Sequence, residues 1–305
     1  MLVLPVKGMM VVMNNVVDQT GSLFAYNIPR IPLGDWIDRG IGFLVNRFGD
    51  TTDQITLFLR AIIDGLRDFL LLFPPELMII IIAMVAWWIV GKKTAFFALL
   101  GLYLIHNMML WTVTMQTLSM VLTAVLICVV LGVPLGILAA KSVLANNIIT
   151  PILDFMQTLP AFVYLLPAVF FFGLGVVPAV IATIIFAMPP VIRLTNLGVR
   201  NVPEELVELG KSFGSTFMQL LMKVELPIAR SNIMAGVNQC IMLSLSMVVI
   251  AAMIGARGLG GEVWRSIQRL DIGQGFEAGL AIVILAIILD RITQNLGKSK
   301  MNGGD

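Results

Sequence analysis

The stretch TMQTLSMVLTAVLICVVLGVPLGILAA, residues 114–140, contains no charged side chain. A helix rises about 1.5 Å per residue, so roughly 20 such residues cross the hydrocarbon core of a bilayer. Further apolar runs lie at 76–91, 94–111, 152–173, 176–196, 231–255 and 276–292. The first two are short and separated only by Gly91-Lys92-Lys93, so about six to seven spans are expected. Composition agrees: 58% of the 305 residues are hydrophobic and 12% are charged. A soluble domain carries about a quarter charged residues. Mean hydropathy is +0.96, and lipid must be part of this chain's solvent. The expected fold class is an all-α integral membrane protein.

Pro134, Pro160, Pro167, Pro178, Pro189 and Pro190 fall within these runs. Membrane bundles tolerate such residues where neighbours satisfy the freed carbonyls, so bends are expected. Gly132, Gly136, Ala139 and Ala140 are candidates for close helix contacts. Cys128 and Cys240 lack partners at metal or redox spacing and read as small packing residues. A net charge of +2, without a dense basic patch, speaks against a nucleic-acid partner.

Ahead of the spans, ITLFLRAIIDGLRDFLLLF (55–73) places Arg60, Asp64, Arg67 and Asp68 on one helical face. Four charges suit a span poorly, so 55–75 is expected to be an amphipathic helix in the membrane surface. A helix packed on other helices is the alternative. Residues 1–54 read as an N-terminal tail without a cleavable leader, 76–296 as the membrane domain, and 297–305 as a C-terminal tail.

Orientation follows from Lys and Arg, which favour cytoplasmic loops. Arg193, Arg200, Lys211, Lys223 and Arg230 set the 200–230 loop in the cytoplasm. Alternation then puts Lys92-Lys93, Lys141 and the C-terminus inside and the N-terminus outside; Arg257, Arg265 and Arg269 in the 256–275 loop count against it. Trp87-Trp88 beside Lys92-Lys93 reads as an interfacial belt.

Ionisable residues within the spans are few. His106, Asp154, Asp290 and Arg291 all fall near span ends. An ion-coupled carrier would show carboxylates at mid-membrane in a repeated arrangement, and no convincing internal repeat is present. Paired carboxylates, a nucleophile with its base, and clustered metal ligands are likewise missing, so no catalytic residue is expected. Energy for uphill movement would have to enter from another chain.

The segment ELGKSFGSTFMQLLMKVELPIAR (208–230) could receive it. Its Gly-Lys-Ser resembles the end of a phosphate-binding loop, but that loop needs Gly five positions earlier, where Glu205 stands. The second Gly-Lys-Ser, at 297–299, has Ile292 there. GARGLGGE (255–262) follows a span rather than a strand and reads as an external turn or re-entrant piece. No nucleotide site or other cofactor is expected in this chain. The 203–227 region reads as two short helices. Pro203, Glu204 and Glu205 suit a helix start. Leu206, Leu209, Gly210 and Phe213 form an apolar edge, and Gly214 permits the turn that ends the helix. Thr216 and Gln219 fit a capping box, with Leu226-Pro227 ending the second helix and opening the next span. An amphipathic pair between spans has the shape to enter a groove on another protein.

Glu208, Gly214 and Val224-Glu225-Leu226-Pro227 resemble the signature loop of ABC-importer permeases, with Leu209 and Gly210 where that family usually has two alanines. The runs at 154–180, 186–203 and 238–263, and IPRIPLGDWIDRGIGFL at 28–44, are similar to the permease subunit of glycine betaine/proline betaine importers. The resemblance implies a type I importer bundle working as a pair of permeases. It implies two ABC ATPases carrying ATP and magnesium, and an extracytoplasmic binding protein. It also implies that Glu208, Leu209, Gly210, Phe213, Gly214, Leu226 and Pro227 form the ATPase-coupling loop. With no soluble binding domain before Asp305, the receptor is expected to be separate. The competing expectation is an ion-coupled carrier of a small zwitterion.

Overall fold

Lipid offers the backbone no hydrogen-bond partners, so each apolar run closes its own bonds as a helix. The computed structural model describes residues 32–297, and among them there is no strand. The chain divides into two compact units, Met1–Arg47 and Phe48–Asp305. Of the first unit, residues 32–47 are described, helical from Leu33. The tail ahead of residue 32 and the C-terminal tail from Lys298 onward lie outside the described residues.

Helix α1 covers Leu33–Leu71, α2 Pro75–Ile89, α3 Lys92–Asn107 and α4 Trp111–Lys141. Next come α5 (Val143–Thr158), a 3₁₀ turn (Ala161–Tyr164) and α6 (Leu165–Phe172). They are followed by α7 (Val176–Arg200), α8 (Glu204–Ser212) and α9 (Phe217–Leu220). The last three are α10 (Leu226–Ala252), α11 (Leu259–Arg269) and α12 (Ile272–Gly297).

By length and composition, four stretches can cross a membrane unbroken: α4, α7, Phe217–Ala252 and α12. Two bent pairs raise the number to six if each counts as one span: Gly49–Leu71 with α2, at 101°, and α5 with Ala161–Phe172, at 109°. Helix α3 has 16 residues, a rise of only about 24 Å. The continuous span expected over 152–173 is therefore broken. Pro160 has no N–H to donate and drives the preceding residue out of the helical region, so Leu159 is extended at φ −73°, ψ 136°. By contrast, Pro167 and Pro178 sit in first turns, where no donor is needed.

Helix α1 extends well ahead of residue 55. Arg67 pairs with Asp64 at 2.7 Å and with Asp68 at 2.8 Å. Arg60, Asp64 and Arg67 border a cavity of about 370 Å³ together with Val176, Gly255 and Arg257. Asp64 and Arg67 are half-buried beside other elements, whereas Arg60 and Asp68 are exposed, as are Leu57, Phe58 and Phe69.

At the centre, α7 lies between α4 and α10, and glycines set the spacing. A Cβ on Gly136 would stand 2.7 Å from the Ile192 carbonyl oxygen, and one on Gly236 3.0 Å from that of Pro190. Such approaches are how helices associate in lipid, where dispersion rather than water exclusion drives contact. Cys128 and Cys240 are buried and free in the same core.

The GARGLGGE segment folds back against the bundle. Leu259 is fully buried, and its N–H donates to the Thr117 hydroxyl at 2.8 Å. Gly260 lies against α10, where a Cβ would fall 2.2 Å from the Val248 carbonyl oxygen.

Candidate functional site

The loop between α7 and α10 hangs from one end of the bundle. Helix α8 starts after Pro203 with Glu204 and Glu205 in its first turn, where acidic side chains oppose the positive end of the helix dipole. It ends at Phe213, and Gly214 reverses the chain at φ 74°, its N–H donating to the Lys211 carbonyl at 2.9 Å. A Cβ on Gly214 would meet no neighbour, so the backbone conformation, not space, calls for glycine. The Thr216–Gln219 capping box is present: the Thr216 N–H donates to Gln219 Oε1 at 2.9 Å, and the Gln219 N–H to Thr216 Oγ1 at 3.4 Å.

The second short helix departs from the expected form. It does not end at Leu226-Pro227; helical structure continues from Phe217 to Ala252, with one widened turn, Leu221–Glu225, just before Pro227. Pro227 cannot donate to the carbonyl four residues earlier, and its ring crowds that carbonyl. An i→i+5 turn opens the ladder at that point and lets the helix proceed.

None of the residues of α8 is buried. Glu208 is exposed, its carbonyl accepting the Ser212 hydroxyl at 2.9 Å. Leu209 and Phe213 are 53% and 83% exposed, and Phe217, Met218 and Met222 are exposed as well. Gly210 differs from its neighbours on the expected apolar edge: it turns inward, and a Cβ there would lie 2.6 Å from Leu220 Cδ1. Leu226 is half-buried and Pro227 exposed at the start of α10. Glu208, Leu209, Phe213, Gly214 and Pro227 are thus exposed, while Gly210 and Leu226 are partly covered.

Next to Leu226 lies a feature that sequence reading missed. Glu225, 1% exposed, accepts a bond from Lys141 Nζ at 2.6 Å, joining the widened turn to the last residue of α4. Its signal was a carboxylate between Val224 and Leu226 at the start of an apolar span, with Lys223 two residues ahead. Two further carboxylates near the spans are also engaged. Asp154 pairs with Arg193 at 2.6 Å, and Asp290 accepts from Asn238 at 2.8 Å and Gln294 at 2.6 Å. His106 stacks edge-on against Trp111 and lies 3.5 Å from Glu76. Among the described residues no group of His, Cys, Asp and Glu is placed to hold a metal ion.

The loop leaves apolar residues exposed at one end of a glycine-spaced helical bundle, and comparison with known proteins decides the family. The family described as binding-protein-dependent transport system inner membrane component matches residues 132–300. The chain belongs to this family. It is 52% identical to the glycine betaine transport system permease protein OpuAB of Bacillus subtilis (strain 168), over 91% of this chain and 99% of that one. It is 54% identical to the glycine betaine/carnitine transport permease protein GbuB of Listeria monocytogenes serotype 1/2a, over 89% of this chain and 98% of that one. The ProW permease of the Escherichia coli glycine betaine/proline betaine system is 49% identical, over 95% and 82%. Among solved structures, an inward-facing MetNI methionine ABC transporter matches with a TM-score of 0.54 at 21% identity, over 59% of this chain and 92% of that one. That likeness establishes the fold, the type I importer permease bundle. The chain is accordingly a multi-pass membrane permease of an ABC import system, in place of the ion-coupled carrier.

Proposed function

We propose that this permease carries glycine betaine, or a closely related quaternary-ammonium solute, across the cell membrane for osmoprotection. Two copies form the pathway, two ABC ATPases bind ATP and magnesium and supply the energy, and a separate extracytoplasmic receptor delivers the solute. The named transport systems of the relatives supply the substrate class. One structural observation carries the coupling role: α8 and the residue that ends it present Leu209 and Phe213 largely to the exterior, and no residue of α8 is buried. An amphipathic helix laid in a groove of a partner is a standard recognition mode. In this reading Glu208, Leu209, Phe213 and Gly214 meet the ATPase, while Gly210, Leu226 and Pro227 hold the loop's shape. The 200–230 loop and the C-terminus then lie in the cytoplasm and the N-terminus outside, with α1 from residue 55 along the outer surface.

The test is uptake of labelled glycine betaine into vesicles holding the permease, its ATPase and its receptor. ATP-driven uptake that survives collapse of ion gradients is expected. Uptake that follows the ion gradient while ATP persists overturns the proposal.

A further inference from the structure

Glu225 presents an unusual combination. It is 1% exposed, one carboxylate oxygen is bound by Lys141 Nζ at 2.6 Å, and the other, Oε2, is buried without a partner. Removing a carboxylate from water costs more than one contact commonly returns, so such a pair is a poor way to gain stability alone. Its position is more informative than its strength. Glu225 closes the widened turn between the exposed loop and α10, and Lys141 is the last residue of α4. The two are 84 residues apart in sequence. The same ammonium lies 6.0 Å from the ring centroid of Phe217, the first residue of α9. One cation therefore touches both ends of the Phe217–Glu225 segment.

Helix α4, with 31 residues, is about 46 Å long. Near its far end Thr117 holds the Leu259 segment. A displacement of the α8–α9 loop thus has a bonded route to the opposite end of the bundle: widened turn, ion pair, α4, Thr117, Leu259.

We infer that Glu225 and Lys141 are positioning residues that convert movement of the exposed loop into movement of α4, so that ATP hydrolysis and solute passage stay in step. This inference rests on the proposed coupling role of the loop. It assigns the ion pair to energy transmission rather than to docking, which belongs to Leu209 and Phe213.

The experiment compares wild type, Glu225→Gln, Lys141→Met and Lys141→Arg in vesicles with the ATPase and receptor. ATP hydrolysis, glycine betaine uptake and ATPase bound per permease are measured on the same preparations. Glu225→Gln and Lys141→Met should keep bound ATPase and hydrolysis close to wild type, while uptake per ATP falls at least about fivefold, the lower end of usual site-to-site coupling. Lys141→Arg, which preserves the charge, should retain the wild-type ratio. An unchanged ratio in both neutral variants overturns the inference. So does a parallel fall of uptake and hydrolysis with bound ATPase, or failure of both variants to insert, since either assigns the pair to assembly alone. Absence of ATP-driven uptake in the wild type instead overturns the proposed function.

Discussion

The hydroxyl of Thr117 accepts the backbone N–H of Leu259 at 2.8 Å while donating to the Val113 carbonyl at 3.0 Å. Both hydrogen-bonding capacities of one side chain are used, and a buried amide 142 residues away is satisfied. Thr117→Val keeps the shape but removes the acceptor. A loss of about 1–2 kcal/mol is expected, within the range for an orphaned buried amide and for hydrogen bonds between membrane helices. Thermal unfolding of the detergent-purified protein checks it, and Thr117→Ser should recover most of the loss.

Gly260 and Gly279 are both helical, yet they should respond oppositely to alanine. A Cβ at Gly260 would fall 2.2 Å from the Val248 carbonyl oxygen, a backbone atom with no freedom to yield. Overpacking of about 1–3 kcal/mol or more is expected. Gly279 in α12 has nothing within 4 Å of a Cβ, so Gly279→Ala should be neutral or stabilising by up to about 1 kcal/mol. Thermal midpoints of the two variants provide the comparison.

Gly214 and Gly210 separate conformation from space. Gly214 has φ 74°, so Gly214→Ala forces a left-handed alanine at a cost of about 1–2 kcal/mol. The loop should lose its shape, and less ATPase should co-purify. Gly210→Ala meets only the Cδ1 end of Leu220, which can shift, so ATPase capture should persist.

Leu209 and Phe213 have little to lose within the monomer, being 53% and 83% exposed. The double change Leu209→Ser, Phe213→Ser should move stability by no more than about 0.5 kcal/mol, as for other surface substitutions. Co-purified ATPase should fall sharply, and Glu208→Gln should weaken it less. Equal ATPase capture by wild type and the double variant would place the docking surface elsewhere.

Asp154 and Arg193 pair at 2.6 Å, but their side chains are 59% and 47% exposed. Pairs so open to the exterior contribute about 0–1 kcal/mol. Asp154→Asn should therefore leave stability and ATP-driven uptake close to wild type. Uptake lost along with its ion dependence would assign Asp154 a coupling-ion role.

The helical, membrane-spanning character, the capping box at Thr216 and the glycine turn at Gly214 were readable from the chain alone. Each depends on neighbours within a few residues: an apolar run, a Thr with Gln three later, a glycine after an amphipathic turn. Pro160 likewise announced a bend. Its angle and its division of 152–173 into two pieces depended on how α5 and α6 settle against the rest. Pro227 suggested a helix stop, yet a widened turn absorbed it, because the helix gains more by continuing into the bundle than by ending.

What the sequence determined by itself was chemistry fixed by composition and short spacing: lipid as solvent, helices as elements, and an amphipathic helical loop between two spans. Tertiary structure alone decided which distant groups meet. Glu225 finds Lys141, Leu259 finds Thr117, and Gly136 admits the Ile192 backbone only after α4, α7 and α10 have been brought together. Local propensity acts over a turn or two of helix, whereas these contacts join residues dozens to more than a hundred positions apart and exist only where packed helices place them.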